Sequence, residues 1–323
     1  MKQITITAND SNRRADQFLR REMPALPQGL LYRALRLGKI KLGGKKIKPD
    51  TRLQSGDILS VYLEDEFFAK TAAPLDFLRA PRNLDVLYED ENILLLDKPS
   101  GLLCHADDKE FADTLIARVQ RYLYDKGEFA IEGEGTFVPA LANRIDRNTS
   151  GIVIAAKNAE ALRALNEKIK MREVEKRYLC LVCGTPPRIF FCDNFLQKDS
   201  RANMVRVFDE PSAGRKSART EFHTLESRSG YSLLEARLIT GRTHQIRAQL
   251  AYACYPLVGD GKYGNFMRSG KSLLSGYKKQ FLCAYRLQFS FKSDTGILAY
   301  LNGRAFTVGE PWFAVAFHAG EFD

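Results

Sequence analysis

Asn143-Arg144-Ile145-Asp146-Arg147-Asn148-Thr149-Ser150-Gly151 sets one carboxylate between two arginines, immediately ahead of the apolar run Ile152 to Ala156. That order reads as a charged loop held before a buried strand, with Gly151 permitting a tight backbone turn. An aspartate flanked by cations is biased towards its ionised form, by ~1–3 pKa units where a pair is close. Such a group suits nucleophilic or base chemistry rather than proton donation. A surface turn carrying a charge cluster is the plainer reading of the same residues.

Three further segments accompany it in the chain. Asp97-Lys98-Pro99-Ser100-Gly101-Leu102-Leu103 lies upstream. Lys176-Arg177-Tyr178-Leu179, followed by Gly184, lies downstream. Gly241-Arg242-Thr243-His244-Gln245-Ile246-Arg247 comes last, with Gly259-Asp260 and Tyr263-Gly264 behind it. In this order, over about residues 84–290, the four segments resemble the motifs of the RNA pseudouridine synthases of the RluA type. Four ordered motifs are far more specific than one.

The resemblance implies an α+β chain with the pseudouridine synthase fold: a central mixed, largely antiparallel sheet, peripheral helices and an RNA-binding cleft. It implies that Asp146 is the catalytic aspartate and that Arg247 is the arginine paired with it. Tyr178 matches the tyrosine that stacks on the target base and is the family's candidate general base. An aromatic face suits an extruded uracil, since stacking is worth ~1–3 kcal/mol per base. Arg144 matches the arginine that enters the gap left by the extruded nucleotide, where a stacking guanidinium recovers part of the cost of flipping. Arg242 and Lys98 are expected on the substrate side, in phosphate contact or loop support. Asn143 departs from the family's usual histidine, which puts in doubt any substrate contact that histidine makes.

Moving the sugar bond from ring nitrogen to ring carbon needs neither redox chemistry nor an external group, so no cofactor is expected. Gly259-Asp260-Gly261-Lys262-Tyr263-Gly264 has the spacing of neither phosphate-binding glycine loop. Cys180 and Cys183 form a Cys-x-x-Cys pair, but on an apolar strand-like run, where residues three apart point to opposite faces. Cys192, Cys254 and Cys283 are solitary, so no second ligand pair exists and no metal is expected. These read as small core residues.

The chain has 323 residues, 45% hydrophobic and 27% charged, a globular composition with room for one large or two ordinary domains. No apolar run approaches a membrane span, and Met1-Lys2-Gln3-Ile4-Thr5 lacks a signal-peptide core, so a cytoplasmic, reduced protein is expected. Its net charge of +10 is unevenly spread: residues 1–63 hold 13 Lys+Arg against 5 Asp+Glu, and the rest hold 36 against 34. A first fifth at +8 joined to a body at +2 suggests a separate RNA-binding module.

The pattern in that module is helix, helix, hairpin. Ala15, Phe18 and Leu19 share a helix face, and Pro24 and Pro27 end it. Leu30, Leu31, Ala34 and Leu35 repeat at helical spacing before Gly38. Ile40 to Leu42, Gly43-Gly44 and Lys45 to Ile47 read as a hairpin, closed by Leu53 to Leu63 with Ile58, Ser60 and Tyr62 alternating. The unit is similar to the small αL domain named after the fourth protein of the small ribosomal subunit.

Residues 64–83 are read as a linker and 84–323 as the catalytic domain. Strands are expected at 84–87, 93–96, 220–225 and 232–239. Helices are expected at 114–124, 159–171 and 243–252, the last capped by Thr243. Few helices intervene late in the chain, which favours an antiparallel or mixed sheet over a βαβ repeat.

The expected substrate is large-subunit ribosomal RNA, with transfer RNA the alternative and a monomer sufficient. A non-catalytic RNA-binding or ribosome-assembly protein is the rival of another class. Retention of Asp146, Tyr178 and Arg247 together counts against it. A hydrolase built on Asp146 and His244 lacks an accompanying serine or cysteine motif.

Overall fold

The computed structural model describes all residues except 24, 69–74, 108–109, 111, 131–136, 200–201, 203 and 265–275. The end of the first helix that was expected at Pro24 therefore lies partly outside the described residues.

The basic N-terminal stretch builds its own sheet and its own core. Strands β1 (Lys2–Thr5), β2 (Ile40–Leu42), β3 (Lys45–Lys46) and β4 (Ile58–Val61) lie in the order β1-β4-β2-β3. Helices α1 (Ala15–Glu22) and α2 (Gln28–Leu37) precede the hairpin. Ala15, Phe18 and Leu19 of α1 meet Leu31, Ala34 and Leu35 of α2 in one buried cluster. Asp16, buried, pairs with Arg14 at 2.9 Å and accepts the Tyr32 hydroxyl at 3.1 Å, which ties the two helices together. Gly38 stops α2 in the left-handed region at φ +73°, where glycine carries no Cβ penalty. In β4 the row Ile58 and Ser60 faces outward, and Leu59 and Val61 supply the core. Strand β1 has one buried side chain, Ile4, too little alternation to be read from sequence.

The two ends of the expected linker form short 3-10 turns, 65–68 and 75–79. Phe67 and Phe68 pack on the N-terminal core, whereas Phe77 packs on Tyr124 and Phe129 of the body.

Among the described residues the body is an eleven-stranded sheet. Its strands are β5 (Val86–Glu89), β6 (Ile93–Lys98), β7 (Ala140–Leu141), β8 (Ser150–Ala156), β9 (Val174–Cys183) and β10 (Ile189–Asp199). They continue with β11 (Met204–Phe208), β12 (Lys216–Arg228), β13 (Tyr231–Leu238), β14 (Leu282–Phe289) and β15 (Ala305–Thr307). The order is β11-β10-β12-β13-β9-β14-β8-β6-β5, with β15 on β14 and β7 on β8. Among the described residues the β14–β8 pairing is parallel and the others are antiparallel, which is the mixed, largely antiparallel α+β sheet expected.

Helices cover both faces, so the central strands are apolar on both sides. Leu94 and Leu96 of β6 face α3 (Leu115–Asp125) and α5 (Gln245–Tyr252), whereas Ile93 and Leu95 face α4 (Ala159–Lys170). Strand β9 splits the same way. Tyr178, Cys180 and Val182 join the α3–α5 side, and Leu179 and Leu181 join α6 (Trp312–His318). Cys180 and Cys183 thus point to opposite faces, as their spacing requires.

Gly151 does not make a turn. It lies inside β8 at φ +104°, and a Cβ there would sit 2.3 Å from the Ala284 carbonyl oxygen. The missing side chain lets β14 close against β8 in the parallel register Ala284–Gly151. Helix α5 begins at Gln245, not Thr243, and Thr243 does not cap it. The residue before it, His244, is left-handed at φ +51° with no side-chain cap.

Candidate active site

The Asp146 loop connects β7 to β8 and is fastened from behind by the Lys98 to Cys104 segment. Gly101 N donates to Arg147 O at 2.8 Å, Ser100 Oγ to Asn148 O at 2.9 Å, and Arg147 Nε back to Gly101 O at 3.0 Å. Lys98 is fully buried, and its ammonium donates to the carbonyls of Pro99, Leu102 and Arg147 at 2.9, 2.7 and 2.9 Å. Burial pulls its pKa down to about 8. All three of its N–H bonds are committed to backbone, so none remains for a phosphate. Lys98 clamps the loop, the support that was one of its two expected roles.

Asn143 is a structural residue as well. Its Oδ1 accepts the Ile154 amide at 2.8 Å, extending the β7–β8 ladder by a side chain.

The flanking arginines do not pair with Asp146. Arg147 turns to Gly101, and Arg144 is exposed with no hydrogen bond or ion pair among the described residues. The partner comes from about a hundred residues downstream: Arg247 Nη1 donates to Asp146 Oδ2 at 3.0 Å. Arg247 is itself gripped by Asp260, Nε to Oδ2 at 2.7 Å and Nη2 to Oδ1 at 2.9 Å. Burial opposes charge on Arg247, but Asp260 and then Asp146 outweigh it and hold the guanidinium above its ordinary pKa. Burial likewise opposes ionisation of Asp260, and Arg247 with the backbone amides of Lys262 and Tyr263 overcomes it, leaving that pKa below normal. Asp260 stands in the expected Gly-Asp pair, but its role as the arginine's anchor was not anticipated.

Helix α5 is positioned less by an apolar stripe than by two buried glutamines. Gln245 Nε2 donates to Arg219 O at 3.1 Å, and its Oε1 accepts Arg242 N at 3.0 Å and Thr240 Oγ1 at 2.8 Å. Gln249 accepts the Thr220 hydroxyl at 2.7 Å and donates to Ala218 O at 3.0 Å. Ile246 and Leu250 still enter the core as expected.

His244 approaches Asp146 Oδ2 through Nε2 at 4.0 Å. Its Nδ1 meets the Tyr263 hydroxyl at 2.9 Å, and that hydroxyl accepts the Val205 amide at 2.8 Å. The tautomer with Nε2–H would face that proton to the carboxylate and let Nδ1 accept from the Tyr263 hydroxyl. Burial pulls the His244 pKa down to about 4, only partly offset by Asp146, so the ring is neutral at pH 7.

Tyr178 is buried and borders the same cavity as Asp146. Burial first, and then the charge of Asp146, push its pKa far up, so the phenol keeps its proton at neutral pH. The cavity measures about 560 Å³ and is also bordered by Arg144, Arg242 and Arg247. Arg242 is exposed and donates Nε to Ser217 O at 3.1 Å. Of the residues singled out from sequence, Asp146, Tyr178, Arg247, Arg144 and Arg242 meet at this cavity, and Lys98 lies behind it.

A family model described as RNA pseudouridylate synthase matches residues 92–252, from β6 to the end of α5. The chain is 32% identical over 301 residues to ribosomal large subunit pseudouridine synthase C of Escherichia coli, covering 90% of this chain and 89% of that one. It is 33% identical over 293 residues to an RNA pseudouridine synthase of Mycoplasma genitalium, covering 88% of each. The solved human RNA pseudouridylate synthase domain containing 4 superposes with a TM-score of 0.57 at 20% identity, over 74% of this chain and 94% of that one. The chain belongs to the RNA pseudouridine synthases, of the RluA type. It is an isomerase that converts uridine to pseudouridine in RNA.

Proposed function

We propose that this synthase acts on large-subunit ribosomal RNA, extruding a uridine into the cavity beside Asp146. The observation that carries the reading is the ion-paired carboxylate in a cation-lined cavity. Asp146 and Glu175 are opposed there by seven lysine and arginine side chains, a surplus suited to a polyanion. The substrate class follows from likeness to proteins named for the large ribosomal subunit.

The chemistry breaks the bond from C1′ to N1, turns the ring, and joins C1′ to C5. The proton on C5 leaves and N1 ends protonated, so the product is an isomer and nothing else is consumed. Asp146, ionised, acts as nucleophile or base at the nucleotide, and Arg247 keeps it charged and in place. Tyr178, protonated, serves as the stacking platform for the uracil. Its raised pKa disfavours the general-base role for which the resemblance made it a candidate. Arg144, exposed and uncommitted, fills the gap in the helix, and Arg242 meets the backbone at the cavity mouth.

Residues 1–63 form the RNA-binding module, 64–83 the connection and 84–323 the catalytic domain. The separate sheet and core of the first segment support that division. The proposed protein works as a monomer in the cytoplasm, a reading supported by a cavity lined from one chain and by the RNA substrate.

Mapping pseudouridines in ribosomal and transfer RNA, with and without the gene, tests the reading. A large-subunit site should vanish and return with the wild-type chain but not with Asp146→Asn. Loss of a transfer RNA site alone would move the substrate to transfer RNA.

A further inference from the structure

Among the described residues, the lysines that the fold withdraws from solvent come with partners, with one exception. Lys98 has its three carbonyls. Lys168 has Glu173 at 3.0 Å and Ser293 O at 3.0 Å. Lys157 has Glu89 at 3.0 Å and Asp90 O at 2.7 Å. Lys176 has no hydrogen bond and no ion pair among the described residues, although it is half-buried and borders the Asp146 cavity.

Its position is set by β9. Lys176 and Tyr178 are two apart on one strand and so share a face, and both border the cavity, whereas Glu175 is taken up by Arg177 at 2.7 Å and Arg237 at 3.0 Å. The ammonium lies against the bare Gly241, 3.7 Å from where a Cβ would stand. It therefore reaches the 240–243 segment beside Arg242. A desolvated ammonium with no counter-ion is unfavourable, and burial lowers the pKa of Lys176 with no carboxylate to restore it. An anion arriving in the cavity would supply what the protein omits.

We infer that Lys176 is the binding site for one phosphodiester of the substrate strand, next to the nucleotide that enters the cavity. The inference rests on the RNA reading above and adds one contact to it. Lys176 fixes the backbone on one side of the extruded nucleotide while Tyr178, on the same strand face, receives the base. The spacing between them then sets how far the base can enter. Lys176 is a binding residue and takes no part in the bond changes.

The test is a methylphosphonate scan on a synthetic uridine-containing RNA hairpin, each phosphate neutralised in turn, with affinity measured for the full chain and for Lys176→Gln. One position should weaken wild-type binding about ten- to a hundred-fold, the range of a charge-assisted hydrogen bond. The same substitution should leave Lys176→Gln unaffected. The slope of log affinity against log salt should also fall by ~0.7–0.9 in that variant. Lys176→Arg, which keeps the charge, should retain both the sensitivity and the slope. Additive effects at every position would overturn the assignment. So would equal loss in the Arg and Gln variants with an unchanged slope, which would make Lys176 a packing residue. Since binding and not turnover is read, failure to isomerise this RNA would count against the catalytic reading alone.

Discussion

Asp260→Asn is expected to cripple the enzyme without touching substrate. Asp260 Oδ1 accepts Arg247 Nη2 at 2.9 Å and the amides of Lys262 and Tyr263 at 2.9 and 3.2 Å, while Oδ2 accepts Arg247 Nε at 2.7 Å. Asparagine offers one acceptor oxygen and one donor NH₂. With its oxygen at the three-donor position, the NH₂ confronts the Arg247 Nε–H, and the reverse orientation sets it against three donors. The side chains of Arg247 and Asp260 are 7% and 0% exposed, so solvent repairs neither. Breaking a buried pair costs about 3–5 kcal/mol. Arg247 retains Asp146, which puts the loss at the lower end, about 3 kcal/mol on the same scale. If the same energy displaces Asp146 from its working position, turnover falls on the order of a hundred-fold, at ~1.4 kcal/mol per tenfold. Urea unfolding gives the first figure, and tritium release from RNA labelled at C5 of uracil gives the second. RNA affinity should hardly change. The pKa of Asp260 is depressed, so its stabilisation is present above the unfolded value near ~3.9 and is lost as pH falls through the folded value. The gap between wild type and variant should therefore narrow below about pH 4. A variant within ~0.5 kcal/mol of wild type at pH 7, with ordinary turnover, would refute the anchoring role.

Four other outcomes are expected. Asp146→Asn should abolish tritium release and leave RNA affinity nearly intact, because shape is kept and only charge is lost; near-normal activity would remove Asp146 from the chemistry. Lys98→Met should lower stability by about 2–4 kcal/mol through three unsatisfied carbonyls, with the salt dependence of RNA binding unchanged; a shallower salt slope would restore Lys98 as a phosphate contact. His244, held neutral down to about pH 4, binds fewer protons folded than unfolded between there and ~6.5, so wild-type stability should decline as pH drops through that window. His244→Gln should lose this limb in urea titrations, and parallel pH profiles would contradict the buried neutral ring. Removing residues 1–63 should weaken RNA binding and flatten its salt dependence while the body stays folded, with turnover persisting at saturating RNA; an unchanged slope would reduce the basic segment to a solvated face.

What the sequence revealed follows from where each signal is stored. The strands β6 and β8 were legible because Ile93 to Leu96 and Ile152 to Ala156 are apolar on both faces, and α3 and α4 because their caps and stripes are local. Thr114 and Asn158 each accept an amide three residues on, at 3.2 and 2.8 Å. Strand β1 escaped because one buried side chain in four leaves no alternation to detect. The start of α5 was misplaced because its hydrogen bonding runs through Gln245 and Gln249, polar residues that look like a surface face. Their partners, Thr220, Arg219 and Ala218, lie on β12 and are invisible to any local pattern. Phosphate contact and loop support could not be told apart at Lys98 for a similar reason. A lysine beside proline and glycine looks exposed until the loop that it clamps, about fifty residues later, is folded over it.

The Asp146–Arg247 pair, expected from the resemblance and not from local charge, has a mechanistic consequence. Arg144 and Arg147 are nearer in sequence, yet a carboxylate paired with neighbours on its own loop would lack a rigid frame. Arg247 stands on a helix bolted to β12, and Asp260 takes two arms of its fork, leaving one for Asp146. Asp146 is thus bound through Oδ2 alone, with His244 Nε2 at 4.0 Å on that same oxygen, and its Oδ1 accepts no hydrogen bond among the described residues. One oxygen fixes the group, and in the proposed reaction the other is left for the nucleotide. A guanidinium released from Asp260 would be free to take both oxygens of Asp146, since bidentate pairing is the stronger arrangement. On this view Asp260→Asn impairs the enzyme by binding its reactive carboxylate too well, and Asp260 serves the reaction by occupying the rest of the arginine.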